Sequence, residues 1–206
     1  VTDAYARIIQ DNLDTLYGNP PPDLETRLPA DREGDGFVFP AFGETCRIEP
    51  GGIFLGERRQ TGPVGIVVSL YALNARPEPM VVEPLKAFKD FPGTMPYVGA
   101  FATHTEGLLT PHVETIRDEA RRIRDRLDGK AAPAGTGGDV SFLVRPLPKI
   151  GLCFIGYLAD EDFPASATCL FSNNAADFMP LDGLADVGEY AAGAIRRLIG
   201  AGGATE

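Results

Sequence analysis

From Ile150 to Leu158 the chain reads Ile-Gly-Leu-Cys-Phe-Ile-Gly-Tyr-Leu, apolar at successive positions instead of alternate ones. A strand with one wet face alternates with a period of two, so this run predicts a strand covered on both faces. It lies inside a longer stretch, Asp139 to Pro180, which holds two further apolar runs. They are set off from it by a loop at Pro148 and by the acidic loop Asp160-Glu161-Asp162-Phe163-Pro164. Short connections of this kind join antiparallel neighbours. Everything else in the chain has to supply the layers that cover these strands.

The 24 glycines and 18 prolines predict short elements and many turns. A helix is expected over residues 1–18, with Tyr5, Ile8, Ile9, Leu13 and Leu16 on one face. Thr2 or Asp3 would cap it, and Gly18 would end it in the left-handed conformation. An Asn-Pro-Pro-Pro-Asp linker and a charged stretch without periodicity lead to a β meander over 36–57. Pro63 opens a segment, to Asn74, that reads as a helix apolar all round, with a strand as the runner-up. A short strand or helical turn is expected around residues 81–91, then a turn at Pro92-Gly93, then a strand at Tyr97–Phe101. Over 111–128 the stripe Val113, Ile116, Ala120, Ile123 and Leu127 predicts one helix, capped by Thr110 and closed by Gly129. Its wet face would pair Asp118 with Arg122 and Arg121 with Asp125.

After the central strands of 139–172, a last helix is expected over 182–199. Asp182 would cap it, and Leu184, Val187, Ala191, Ile195 and Leu198 would be buried. Its interior Gly188 and Gly193 require close packing against the sheet, and the tail after it reads as disordered. The fold class expected is α+β, an antiparallel sheet of short strands with helices packed on one side, forming one domain over 1–206.

A formal net charge of -10 sets the chain against nucleic acid and against anionic membrane surfaces, both of which it would repel. No apolar run reaches the roughly 20 residues that span a bilayer. The first residues carry no basic-then-apolar signal pattern, and the chain starts at Val1 instead of Met, which leaves room for residues before it. Cys46, Cys153 and Cys169 form no Cys-x-x-Cys pair, so the chain cannot build a four-cysteine cluster by itself. Cys153 and Cys169 lie in apolar runs and read as buried reduced thiols, which points to a cytoplasmic location.

The two histidines fall in one segment, Gly-Ala-Phe-Ala-Thr-His-Thr-Glu-Gly-Leu-Leu-Thr-Pro-His. His104, Glu106 and His112 could therefore bring two imidazoles and a carboxylate to one cleft, a set suited to metal binding or acid–base work. The bland alternative is two surface histidines. Asp160 and Asp162 could hold a hard cation through oxygen ligands. Equally, Asp160 could accept hydrogen bonds from loop amides in a solvated turn. Ser172-Asn173-Asn174 reads as a polar turn. No Gly-x-Ser-x-Gly elbow is present, and Pro50-Gly51-Gly52 is not followed by the Lys-Ser/Thr helix start of a phosphate loop.

The stretches Tyr-Leu-Ala-Asp-Glu-Asp-Phe-Pro, Thr-Cys-Leu-Phe-Ser and Asp-Phe-Met-Pro-Leu-Asp-Gly-Leu-Ala resemble the family known as domain of unknown function 3786. Tyr157 stands where that family carries Trp, and Ser172 where it carries Asp. The resemblance adds Tyr157 to the candidate ligand-binding residues and implies a setting in anaerobic metabolism. Some relatives carry a four-cysteine iron–sulphur module for which this chain has no cysteines. The expectation is a cytoplasmic module binding a small ligand, a cofactor or a redox partner protein, with a homodimer open and no particular cofactor indicated. A metal- or carboxylate-dependent enzyme near His104 and Asp160 and a structural subunit are the alternatives.

Overall fold

The computed structural model describes the backbone of residues 2–202 and the side-chain surroundings of residues 4–201. Capping by Thr2 or Asp3 and the disordered tail therefore concern parts outside the described residues. The chain is α+β and carries two antiparallel five-stranded sheets where one was expected. The first is a meander of β1 (Asp31–Glu33), β2 (Gly36–Ala41), β3 (Glu44–Glu49), β4 (Gly52–Leu55) and β5 (Arg58–Arg59), each paired with the next. The second has the order β6-β10-β9-β8-β7, built from Lys86–Ala87, Ser166–Phe171, Ile150–Tyr157, Val140–Leu147 and Lys130–Ala131. The apolar run of β9 is its central strand, and Leu152 and Cys153, on opposite faces, are both wholly buried.

Helix α1 (Thr2–Gly18) lies on α3 (Pro63–Asn74), tied by Asn12 Nδ2 donating to Ser69 Oγ at 2.8 Å. Helix α3 is apolar all round as its sequence predicts, with Val67, Val68 and Tyr71 at zero exposure. The charged stretch before the meander holds a short helix, α2 (Leu24–Arg27), whose Leu24 and Leu28 plug the core.

Tyr97–Phe101 is helical, not a strand: α4 (Val98–Phe101) turns Phe101 onto Phe88 and Phe171, with ring centroids 4.6 Å and 5.5 Å away. This aromatic packing overrides local strand propensity. The helical path continues through a π turn, Ala102–Glu106, into α5 (Gly107–Leu109) and a 3-10 turn, Thr110–His112. Thr110 is thus not a cap; its hydroxyl donates back to the Glu106 carbonyl at 3.0 Å.

The helix expected over 111–128 is broken at Glu119 into α6 (Val113–Asp118) and α7 (Ala120–Arg126). Ile116 and Ile123 are buried on either side of the break, and α7 runs along β8. Arg121 pairs with Asp125 at 3.9 Å, but Asp118 pairs with its neighbour Arg117 and Arg122 with Glu119. At the end Asp128, not Gly129, takes the left-handed conformation, with φ 50, held by Arg145 at 2.6 Å.

The last helix, α8 (Leu181–Gly202), starts one residue before the expected cap. Its first turn hangs from the Pro180 carbonyl, and Asp182 bonds only the Gly183 amide beside it. Gly188 does sit at a close approach, but against the helical path rather than a sheet. A Cβ there would lie 2.5 Å from the Phe101 ring and 3.0 Å from Thr105 Oγ1, while Gly193 faces only its own helix's Arg197.

One contiguous core joins Ile9 and Leu13 to Ile53 of the meander, Phe171 of the second sheet and Ile195 of α8. The sheets meet where the Phe42 amide donates to the Pro146 carbonyl at 2.8 Å. No described helix is long and apolar enough to cross a membrane.

Candidate functional site

The residues singled out from sequence are distributed over several jobs. Glu106, at the end of the π turn, accepts the Cys169 amide of β10 at 3.0 Å. That amide points away from β9, just before β6 takes over the strand's outer side at Leu170. A carboxylate here closes an open sheet edge. Half-burial holds the Glu106 carboxyl above its usual range, and the Cys169 amide partly opposes this. His104 is exposed on the same turn and His112 is half-buried in the 3-10 turn.

Asp160 takes the loop role: its Oδ1 accepts the amides of Asp162 and Phe163 at 2.9 and 2.7 Å, and its own amide donates to the Phe163 carbonyl. Asp162 and Tyr157 are exposed, and Phe163 stands at the loop tip with 70% of its surface open. Among the described residues no group of three or more His, Cys, Asp or Glu side chains is placed to hold a metal ion. The three cysteines are free and buried. Burial pushes the Cys46 thiol up to about 12 and Cys153 up to about 11, and burial with the nearby Glu106 carboxylate holds Cys169 well above the usual thiol range.

Ser172-Asn173-Asn174 does more than turn the chain. Asn173 donates its amide to the Val81 carbonyl at 2.7 Å and its side chain to Pro84 at 2.8 Å. Asn174 accepts the Val81 amide and donates to the Pro79 carbonyl. The pair straps residues 79–84 over the outer face of the second sheet, where Met80 fills the space left by Gly151. Lys149, buried at the β8–β9 hairpin tip, anchors the start of that strap by donating to the Arg76 carbonyl, with Phe178 under its ammonium at 5.6 Å. Burial lowers its pKa and Glu78 partly restores it.

A different place carries strain and concavity together. The β2–β3 hairpin turns on Phe42-Gly43, with φ 52 and 82, between the paired Ala41 and Glu44. Two left-handed residues make the turn type that normally selects Asn-Gly, and a phenylalanine in the first position is strained. The turn is held by the Pro146 carbonyl, by Tyr190 of α8 edge-on to the Phe42 ring at 6.2 Å, and by Arg126, whose carbonyl would lie 2.6 Å from a Cβ on Gly43.

Around this turn lie three concavities. One of about 410 Å³ is lined by Phe42, Leu55, Val64 and Tyr190 beneath Arg58, Arg59, Arg197, Gln60 and Glu44. A second, of about 190 Å³, shares Phe42, Glu44 and Arg197 and adds Arg126. A third, of about 540 Å³, opens on the other side of Gly43 towards Arg145 and Asp128. Arg58 forms two bonds to the Glu44 carboxylate, at 2.7 and 2.9 Å, and Arg59 donates to the Gly51 carbonyl. Arg197 has no ion pair among the described residues. Burial first, then Asp186, Glu189 and Tyr5, push the Tyr190 hydroxyl up to about 12, so it stays a donor. Sequence reasoning missed this site, though one signal was there: Phe-Gly at the tip of a two-residue hairpin.

No curated protein and no solved structure matches the chain. The family model described as "Domain of unknown function (DUF3786)" matches residues 20–194, a span that takes in both sheets, the Phe42 turn and most of α8. The chain belongs to that family.

Proposed function

We propose that the protein is a non-catalytic cytoplasmic module that binds a small ligand in the groove between the Phe42-Gly43 turn, β5 and α8. The observation that carries this reading is the strained Phe42, held by three separate elements beside a cavity where an aromatic floor meets Arg197, which has no ion pair among the described residues. Strain of that kind, on the order of 1–3 kcal/mol, persists only where its surroundings over-determine it. The cavity volume is in the range of small-molecule sites. The acidic surface turns the protein away from nucleic acid, and the family resemblance supports a setting in anaerobic metabolism.

An NMR screen with a chemically mixed fragment library tests the reading. Hits that shift the Tyr190, Phe42 and Val64 resonances together are expected, and a library whose hits never reach these residues overturns it. A second reading, an enzyme centred on Glu106, is favoured by the π turn that holds its half-buried carboxyl. Elemental analysis and an ultraviolet–visible spectrum test it: a stoichiometric metal or chromophore that is lost in Glu106→Gln would favour this reading over the first.

A further inference from the structure

The groove beside the Phe42-Gly43 turn differs from the rest of the molecule in charge. The chain carries 29 acidic against 19 basic residues, yet the groove wall presents Arg58, Arg59 and Arg197 against the single carboxylate of Glu44. Arg58 is already satisfied by Glu44 in a two-bond pair. Arg59 spends one nitrogen on the Gly51 carbonyl, a neutral acceptor, so its charge is not neutralised. Arg197 lines both the larger and the smaller cavity and has no carboxylate partner among the described residues. Asp186 and Glu189 stand next to Tyr190 on α8 but do not line the groove. A guanidinium without an ion partner at the rim of an apolar floor favours an anion that bears an apolar body.

We infer that this groove takes a small organic anion, its phosphate or carboxylate head bound by Arg197 and its apolar part lying on Tyr190, Leu55 and Val64. The inference rests on the ligand-binding reading of the same groove and adds the class of ligand. Arg197 supplies the fork that pairs with two oxygens of the head. The Arg58–Glu44 pair borders the site and fixes its polar edge, and the Tyr190 hydroxyl is a protonated donor at working pH.

Calorimetric titration of the intact protein with phenyl phosphate, benzoate and phenol separates the possibilities, with Tyr190 and Phe42 chemical shifts locating each probe. At least one of the two anions is expected to bind roughly tenfold or more tightly than phenol, and the ratio between them identifies the preferred head. Arg197→Gln is expected to remove about that factor and Arg197→Lys to restore part of it, since a lysine keeps the charge and loses the fork. Arg196→Gln, a neighbouring exposed arginine outside the groove lining, is expected to leave affinity within about twofold.

Equal losses in Arg196→Gln and Arg197→Gln would show diffuse attraction to α8 and overturn the inference. Phenol binding in the groove as tightly as the anions would overturn the anion preference while leaving the ligand-binding reading intact. Failure of all three probes, together with a fragment screen that never perturbs Tyr190, would overturn both. Failure of the probes beside neutral fragments that do bind there would overturn the anion class alone.

Discussion

The two sheets use their polar residues differently. Around the second sheet several polar side chains are spent on backbone: Glu106 on the Cys169 amide, Asp160 on its own loop, Asn173 and Asn174 on the strap, Lys149 on the Arg76 carbonyl, while His104, Asp162 and Tyr157 stay exposed. At the Phe42 turn the balance differs: Arg58 is tied to Glu44 and Arg59 to the Gly51 carbonyl, but Arg197 of α8 faces the cavity with no ion pair among the described residues, and the tight turn itself is made from a residue that fits it badly. Buried backbone must find partners, so a sheet wrapped on both faces recruits its polar side chains for that purpose. Where α8 meets the edge of the meander, that demand is already met, and Arg197 is left for solvent or for ligand. Function is therefore to be sought where polar groups are left uncommitted.

Substitutions can break this contrast. The largest effect is expected at Phe171, which has zero exposure and packs on Phe88, Phe91 and Phe101. Phe171→Ala should cost roughly 3–5 kcal/mol in denaturant unfolding, while leaving groove binding unchanged in the folded fraction. Gly43→Ala comes next. It forces a Cβ into a left-handed residue and to within 2.6 Å of the Arg126 carbonyl. The two effects together should cost roughly 2–4 kcal/mol, and here affinity for any groove ligand should fall too. A Gly43→Ala protein that lost stability yet bound normally would separate the turn from the site.

Glu106→Ala leaves the Cys169 amide unpaired at a half-buried edge and should cost roughly 1–3 kcal/mol, whereas Glu106→Gln, which keeps an acceptor, should recover most of it. Equal losses in both would mean that the charge itself is needed, and would move Glu106 from the structural side of the comparison to the functional one.

How much of the molecule is legible in its sequence follows the same divide. The central strand and helix α3 announce themselves as unbroken apolar runs, the meander as short β-prone runs between turn residues, and the buried face of α8 through helical periodicity, all of which depend only on which faces are wet. Asp160's turn is legible because the side chain acts within three residues of itself. What fails is whatever depends on distant partners. Tyr97–Phe101 is helical because Phe101 has an aromatic cluster to join, and Gly188 is small because the α4 path crosses it. The strap and the arginine groove bring together residues up to about 150 positions apart, and spacing along the chain carries no trace of that. His104 and Glu106 share one π turn where the sequence placed them just past a strand end, and the Cys169 amide that occupies Glu106 lies 63 residues away.

The smallest predicted effect lies outside both sheets, on the first half of α8. Burial first, then Glu189 and Asp182, push the Asp186 carboxyl from its ordinary 3.8 up to about 6. The folded state therefore holds its proton more tightly than the unfolded chain does. Stability from this group is full below about pH 4 and declines as pH rises towards 6, and above that the buried charge is a standing cost. Asp186→Asn should then melt higher than the parent at pH 7–8, by about 1 kcal/mol once solvent screening of a half-buried site is allowed for, and show no advantage below pH 4. A pH-independent gap in melting temperature would contradict this origin. Because Asp186 is also one of the anionic groups beside Tyr190, the same substitution should modestly tighten phenyl phosphate binding at pH 7 and leave phenol unaffected. Tightening of both probes alike would instead mean that the new amide had reshaped the groove, and the charge contrast between the groove and the rest of the molecule would lose its support.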